Sequence, residues 1–285
     1  MVPLVDSWHD RATGTVSHAV HGGKGTDCAV IDSVLDYEPR AGRTSRQSID
    51  RIAHFLAEQE LSLTWILETH VHADHLSGAQ RLKECCGGRV AIGAEVVGVQ
   101  RHFAGMFNPG ADFVADGRQF DHLFADRERF ALGDFVGEVL FTPGHTPDGV
   151  TYVVGDAAFV GDTLFMPDGG VARCDFPGGD AAELHRSIQR ILSLPPETRL
   201  FVCHDYMPGG RAPSWETTVA EQRAANIHYA GLDAEGFIAK RRARDQTLEP
   251  PLLIIPAVQV NMRAGHFPAP EANGARYLKV PIDRM

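Results

Sequence analysis

The segment at residues 69–75 places three histidines and one aspartate within six positions, directly after the apolar run at residues 63–67. The four side chains are His70, His72, Asp74 and His75. An apolar run of this length is typical of a buried strand, whose end would carry all four donors into one loop. Because burying these groups together removes their hydration, a metal ion is the usual compensation. The sequence therefore predicts a metal site at the end of a strand.

Three more donors follow predicted strands elsewhere in the chain, namely His145, Asp162 and His204. A lone loop histidine is more often simply hydrogen-bonded, but the cluster at 70–75 gives these distant residues a common partner. Loops at the ends of a rigid sheet are where open catalytic sites are built. A set of only imidazoles and carboxylates also favours catalysis, since closed structural zinc sites more often use cysteine.

The hydrophobic pattern predicts two β-rich halves with helices on the outside. Strands are predicted at 14–20, 27–32, 63–69, 89–92, twice within 128–142, and at 151–154, 158–161, 200–203 and 277–281. Helices are predicted from a capping box at Thr44 and Gln47 to about residue 60, at 76–86, at about 95–107, from Asp180 to Pro195, and over most of 215–245 with a break near Gly231. We expect one domain over residues 1–285, with a core at about 14–205 and a C-terminal extension of helices and a strand at 206–285.

Composition excludes several classes of protein. With 285 residues, 44% of them hydrophobic and 22% charged, the chain can bury a large core. The net charge of −10 and the lack of a long basic run argue against nucleic-acid binding. The N-terminus carries Asp6, His9 and Asp10, and the apolar run at 252–260 contains Pro256, so we expect no membrane association. Five cysteines without a CxxC pair fit a reducing compartment, and we expect a cytoplasmic protein.

Four motifs occur in order along the chain and resemble those of the metallo-β-lactamase superfamily. They are the His70-x-His72-x-Asp74-His75 segment, Pro143-Gly144-His145-Thr146, Gly161-Asp162-Thr163-Leu164 and Cys203-His204-Asp205-Tyr206. The resemblance implies a four-layer αβ/βα sandwich of the α/β class, with metal at one edge between two sheets.

Within that superfamily the chain most resembles the persulfide dioxygenases, in the branch called β-lactamase-hydrolase-like proteins, and their neighbours the glyoxalase II thioesterases. The stretches that carry this resemblance are residues 31–37, 173–176, 204–206, 259–265 and 277–281. Glyoxalase II implies two metals, one held by His70, His72 and His145, the other by Asp74, His75 and His204, with Asp162 between them. The dioxygenases imply one iron held by His70, His145 and Asp162, with His72, Asp74, His75 and His204 orienting ligands or holding water.

Two departures from glyoxalase II favour the dioxygenase. Asp205 stands where that family usually has glutamate, and the residues after His204 are fewer than its glutathione-binding region needs. The resemblance then implies one Fe(II) per chain, with O2 and a small-molecule thiol persulfide, glutathione persulfide, as reactants. Arg173 and Tyr206 are candidate substrate-binding residues. An ordinary alternative for Arg173 is hydrogen bonding to loop carbonyls, and an ordinary alternative for Tyr206 is packing with its hydroxyl in solvent. A homodimer is left open.

Several alternatives stay open at this point. A thioester hydrolase with two Zn(II) ions shares every ligand, and a β-lactamase fits less well because the chain resembles the thiol-ester branch at both ends. A non-catalytic metal-binding module is disfavoured because all seven donors are present. Cys174 could be redox active or a buried spectator thiol. The basic run at 240–244 could meet substrate carboxylates, while a solvated helix face is the commoner reading.

Overall fold

Strands and helices alternate along the chain in the computed structural model, which describes residues 2–284. The strands are β1 Leu4–His9, β2 Val16–His21, β3 Asp27–Ile31, β4 Val34–Glu38, β5 Arg43–Ser45, β6 Ser62–Leu67, β7 Leu76–Ser77, β8 Arg89–Gly93, β9 His122–Phe124, β10 Arg129–Leu132, β11 Phe135–Phe141, β12 Val150–Val154, β13 Ala157–Phe159, β14 Arg199–Phe201 and β15 Glu216–Thr218. The α-helices are α1 Gln47–Glu58, α2 Ala79–Cys86, α3 Val96–Phe107, α4 Ala181–Leu192, α5 Val219–Ala225, α6 Ala234–Asp245 and α7 Ile254–Asn261.

Two six-stranded sheets form the centre of the molecule. The first has the order β1-β2-β3-β6-β8-β9 and the second the order β10-β11-β12-β13-β14-β15. A small third sheet, β5-β4-β7, lies at their margin. The pairs β3/β6, β6/β8, β8/β9 and β13/β14 are parallel, so the carboxyl ends within each group meet at one sheet edge.

Alternation along the strands produces the layers. In β3, Cys28 and Val30 belong to a core shared with helices, whereas Ala29 and Ile31 face the second sheet. The helix-side core of the first sheet includes residues of α1, α2, α3 and α7, and that of the second sheet includes residues of α4 and α6. The order is therefore helices, sheet, sheet, helices, which confirms the predicted αβ/βα sandwich.

The two sheets are joined at the edge where the predicted donors lie. The Val16 amide donates to the Cys203 carbonyl at 2.6 Å, and the Val150 amide donates to the Thr69 carbonyl at 2.9 Å. The buried His18 ring on β2 reaches across to the Val202 carbonyl, 3.0 Å from Nε2. These bonds attach the segment after β14 to β2 of the first sheet, and the loop after β6 to β12 of the second sheet.

Several boundaries differ from the sequence prediction. Thr44 does not cap α1, because it pairs with Tyr37 in the β4/β5 hairpin and the helix begins without a side-chain cap. Leu76 and Ser77 pair with β4, so the helix predicted from residue 76 begins at Ala79. The Asp180 cap is confirmed, since its carboxylate accepts from the amides of Ala182 and Glu183.

The C-terminal extension also differs from the prediction. The strand predicted at 277–281 is wrong, because this segment is irregular and its Lys279 backbone pairs with the Gln259 side chain. The apolar run at 252–260 instead forms α7, where Pro256 lies in the first turn and needs no amide partner. Residues 216–218 form β15, and the helical region after them breaks around Gly231 as predicted. In the described part, residues 2–284, no helix combines the length and apolarity that a bilayer crossing requires.

Candidate metal centre

His70, His145 and Asp162 come together at the joined edge of the two sheets. The ligand atoms of these three side chains all lie within 4.8 Å of one another. Asp162 Oδ2 is 3.5 Å from His145 Nε2 and 3.9 Å from His70 Nε2. Each side chain follows a different strand, so the fold, and not sequence proximity, assembles this group.

The remaining four predicted donors lie beside that group. His72, His75 and His204 form a second set, in which Cys203 also takes part. His204 Nε2 is 3.2 Å from Asp74 Oδ2 and 3.4 Å from Asp162 Oδ1. The two Asp162 oxygens therefore face opposite sets of histidines, and all seven predicted donors share one cluster.

The donor atoms fit a metal ion because most of them have no other partner. Buried polar atoms normally form hydrogen bonds, and leaving one unpaired costs about 1–3 kcal/mol. Within residues 2–284, six of the seven predicted side chains have at least one buried nitrogen or oxygen without a hydrogen-bond partner. These atoms include His70 Nε2, His72 Nδ1, Asp74 Oδ2, His75 Nε2, Asp162 Oδ1 and His204 Nε2. A bound cation would satisfy these atoms together.

Hydrogen bonds behind the cluster fix which ring nitrogens are free. His145 Nδ1 donates to the Arg173 carbonyl at 2.6 Å, which leaves Nε2 unprotonated. His72 Nε2 lies 2.9 Å from Asp32 Oδ1, so this nitrogen donates and Nδ1 is free to bind. The Thr69 hydroxyl donates to Asp32 and accepts from His70 Nδ1, leaving His70 Nε2 free. Such partners orient a metal-binding imidazole and raise its basicity.

Burial also keeps the imidazoles neutral. Loss of hydration, followed by repulsion from neighbouring histidines, holds the pKa values of His70 and His72 well below the ordinary value. Burial lowers the pKa values of His145 and His204 to about 4. For Asp162, burial and then the nearby Asp74 carboxylate raise the pKa well above its ordinary value. A cation would suit this site, because neutral imidazoles can bind it and its positive charge would compensate the buried negative charge of Asp162.

A cavity of about 420 Å³ opens onto this cluster. Asp74, His145 and Asp162 line its inner end, and Phe165 and Phe176 contribute aromatic walls. The cavity therefore leads from the surface to the ligand atoms. A metal held here would keep one side accessible to a small molecule.

Arg173 and Tyr206 both line the cavity, and the polar end of Arg173 is already paired with groups outside the ligand cluster. The Arg173 guanidinium pairs with Asp175 at 2.6 Å and donates to the Glu249 carbonyl at 2.6 Å. Tyr206 stacks on the His204 ring at 5.6 Å between centroids, and 58% of its surface is exposed. Their predicted role in substrate binding stays a prediction.

Helix α6 holds the loop that supports His145. Arg241, only 3% exposed, donates to the Val171 carbonyl at 2.9 Å and lies 2.6 Å from Asp245. The Asp245 carboxylate accepts from the Cys174 amide at 3.0 Å and lies 3.2 Å from its thiol. The basic run therefore does not lie entirely on a solvated face, because Arg241 is buried and both Arg241 and Arg244 line the cavity. Burial raises the pKa of the Cys174 thiol to about 12, which makes it a poor nucleophile.

Sequence reasoning did not assign a role to several residues that hold the cluster. Asp32 supports His72 and Thr69, and its position directly after β3 was the available signal. Asp148 accepts from the Val71 amide at 2.8 Å, and Asn261 bonds to three groups of the 72–77 segment. Cys203 lies among the second set of histidines, but burial raises the pKa of its thiol well above the usual value, so it stays protonated.

Comparison with known proteins agrees with this geometry. Residues 13–204 match the family described as the metallo-beta-lactamase superfamily. The chain is 51% identical to a probable metallo-hydrolase of Burkholderia pseudomallei, over 99% of each chain. It is also 51% identical to a β-lactamase hydrolase-like protein of Agrobacterium fabrum, but spans only 65% of the length of that relative.

Two relatives whose names state an activity are also similar to this chain. Glyoxylase B2 of Dictyostelium discoideum is 47% identical over 90% of this chain and 89% of its own. The human mitochondrial persulfide dioxygenase ETHE1 is 31% identical over 92% of this chain and 89% of its own. The crystal structure of ETHE1 from Myxococcus xanthus superposes with a TM-score of 0.73 at 29% identity, covering 92% of this chain and all of that one. The chain belongs to the metallo-β-lactamase superfamily.

Proposed function

We propose that this chain is a non-haem Fe(II) dioxygenase that oxidises glutathione persulfide with O2 and water to glutathione and sulfite. The observation that carries the proposal is the convergence of His70, His145 and Asp162 within 4.8 Å. Two imidazoles and one carboxylate on one face of Fe(II) are typical of oxygenases, because three coordination positions stay open. The similarity to persulfide dioxygenases supports the same reading.

The cavity supports a thiol persulfide as the substrate. Its volume of about 420 Å³ suits a tripeptide-sized molecule. Phe165 and Phe176 would pack against the substrate's apolar groups, and Arg244 would meet one of its carboxylates. Tyr206 would close the side of the cavity beside His204. The terminal sulfur would then lie against the His145 and Asp162 end.

Iron bound by the three ligands would supply the activation of O2 and a coordination position for the soft terminal sulfur. The net reaction converts one persulfide, one O2 and one water into one thiol, one sulfite and two protons, so the S–S bond breaks and the terminal sulfur gains three oxygens. His145 is held by the Arg173 carbonyl and His70 by Thr69, which keeps the ring nitrogens aimed at one point. His72, Asp74, His75 and His204 would hold water and neighbouring ligands in place.

A second function is favoured by a specific observation. Asp162 presents one oxygen to each set of histidines, an arrangement that would also suit two Zn(II) ions. Two metal ions held by these two sets of residues would supply an activated water and a polarised carbonyl, which is the chemistry of a thioester hydrolase. The relative named a metallo-hydrolase agrees with this alternative.

Metal loading and two substrates separate these functions. Protein loaded anaerobically with Fe(II) should consume O2 and release sulfite in equal amounts on glutathione persulfide, and zinc-loaded protein should not. A glutathione thioester should be hydrolysed slowly or not at all by both forms. The dioxygenase proposal fails if purified protein holds two zinc ions, consumes no O2 with either metal and hydrolyses the thioester rapidly.

His75→Ala is a useful companion variant. His75 belongs to the second set of donors and not to the group of His70, His145 and Asp162. A mononuclear iron dioxygenase should keep measurable O2 consumption in this variant, with a loss of about 10–100-fold expected for a group behind the ligands. A dinuclear hydrolase would lose one metal and its thioesterase activity together.

A further inference from the structure

The loop that carries four of the seven donors has few internal hydrogen bonds of its own. Residues 68–75 lie outside regular secondary structure, between the end of β6 and the start of β7. The carbonyls of His72 and His75, on either side of Asp74, both receive a hydrogen bond from one distant side chain. Buried carbonyls need such partners, so whatever supplies them also fixes the loop.

That side chain is Asn261, the last residue of α7. Its Nδ2 donates to the carbonyls of His72 and His75 at 2.8 Å each, and its Oδ1 accepts from the Ser77 amide at 2.8 Å. The side chain amide thus uses both of its protons and its oxygen on one segment of six residues. Asn261 is 4% exposed, so water does not readily replace these bonds.

The helix that carries Asn261 is itself fixed in position. Ala257 and Val260 belong to one core with Leu76, and Val258 belongs to the larger core that includes Ala73 of the donor loop. After the helix, the Ala264 carbonyl accepts from the Gln80 side chain at 2.9 Å at the start of α2. The amide is therefore presented on a rigid support and not on a mobile side chain.

We infer that Asn261 is a positioning residue for the metal centre and acts through the backbone of the His72–His75 loop. By fixing the carbonyls on both sides of Asp74, it sets the directions in which His72, Asp74 and His75 point. The inference does not depend on the proposed reaction, because it holds for iron or zinc. It also gives the C-terminal extension a part in building the site.

Gln259 provides a matched control on the same helix. It is also 4% exposed, and its side chain amide likewise donates to two carbonyls, those of Ile255 and Lys279, and accepts from the Lys279 amide. None of these groups belongs to the donor loop. Asn261→Asp and Gln259→Glu therefore make the same chemical change, a carboxylate facing two carbonyls, with and without contact to the metal site.

The experiment measures metal retention in the full-length, Co(II)-loaded variants by competition with a chelator, together with the visible spectrum of the bound Co(II). Asn261→Asp should weaken metal affinity about 10–100-fold and change the spectrum, as expected for the loss of a group that orients ligands. Gln259→Glu should keep its metal affinity within about twofold of the wild type, with an unchanged spectrum, because Gln259 orients no ligand of the metal.

Unchanged affinity and spectrum in Asn261→Asp, or the same loss in Gln259→Glu, would overturn the inference. Thermal unfolding of both variants without metal shows whether each is folded. If Asn261→Asp does not fold, Asn261→Ser and Gln259→Ser repeat the comparison with a smaller change, and the same outcomes decide it.

Discussion

The two halves of the metal centre are built in different ways. The first half takes His70, His72, Asp74 and His75 from one loop, where sequence proximity keeps them close. The second half takes one donor from each of three strand ends. There the parallel register pairs Phe159 with Phe201, and Asp162 and His204 each follow three residues later. The first half therefore depends on side chains that shape a loop, whereas the second half depends on sheet register.

Asp162→Ala removes the donor of the second half that lies between the two sets of histidines, and this variant should have the largest effect. Its two oxygens face His145 and His70 on one side and His204 on the other. Removing a group that supports a metal ligand typically lowers metal affinity or activity about 10–100-fold. Removing the ligand carboxylate itself should have a larger effect and lower turnover by about a thousandfold or more. Turnover and bound metal per chain are the measurements. Asp156→Ala, which removes a surface partner of Arg199, is the control, and a loss below tenfold in Asp162→Ala would contradict the expectation.

Asp245→Ala tests the support of the second half. The variant leaves the buried Arg241 without its partner at 2.6 Å, and breaking a buried pair from one side costs about 3–5 kcal/mol. The free energy of unfolding in urea measures this loss. Replacing both residues by leucine should recover much of it, because no charge then stays buried. Equal instability in the single and double variants would show that the pair itself is not the cause.

His18 joins β2 of the first sheet to the Val202 carbonyl beside His204, and the pH dependence of the free energy of unfolding tests this junction. Burial lowers the pKa of His18 from 6.5 to about 4, so the unfolded state binds more protons below pH 6.5. Its contribution to stability is therefore full above pH 6.5 and is lost as the pH falls, by roughly 3 kcal/mol at pH 4 relative to pH 7. The difference in the free energy of unfolding between the wild type and His18→Gln, measured at several pH values, isolates the contribution of His18, because the other histidines titrate in both proteins. Parallel stability curves would contradict it.

Asp32→Ala tests the first half and should have the smallest of these effects. Asp32 accepts from His72 Nε2 and from both the amide and hydroxyl of Thr69. Its loss should weaken metal affinity about 10–100-fold, measured by chelator competition. Arg173→Ala is the counterpart in the second half, where His145 is held by a backbone carbonyl that the substitution keeps. If both variants lost the same affinity, the distinction between side-chain and backbone support would be wrong.

Much of the architecture could be predicted from the sequence because it follows local rules. Local sequence patterns predicted the strands β3, β6 and β12, the Asp180 cap and the break near Gly231. The errors fall where tertiary pairing overrides a local signal. Thr44 had the features of a helix cap, but it pairs with Tyr37 in a strand, and the segment at 277–281 is held by the Gln259 side chain and does not form the predicted strand.

The chemistry of the site could be predicted from residue types and their order along the chain, because imidazoles and carboxylates grouped at strand ends have few other stable uses. The folded chain sets which nitrogen of His72 and His145 is free, through Asp32 and the Arg173 carbonyl, and it brings Asn261 to the backbone of the donor loop. The physical reason is that donor type is a property of a residue, whereas orientation depends on hydrogen bonds between segments that are far apart in the chain.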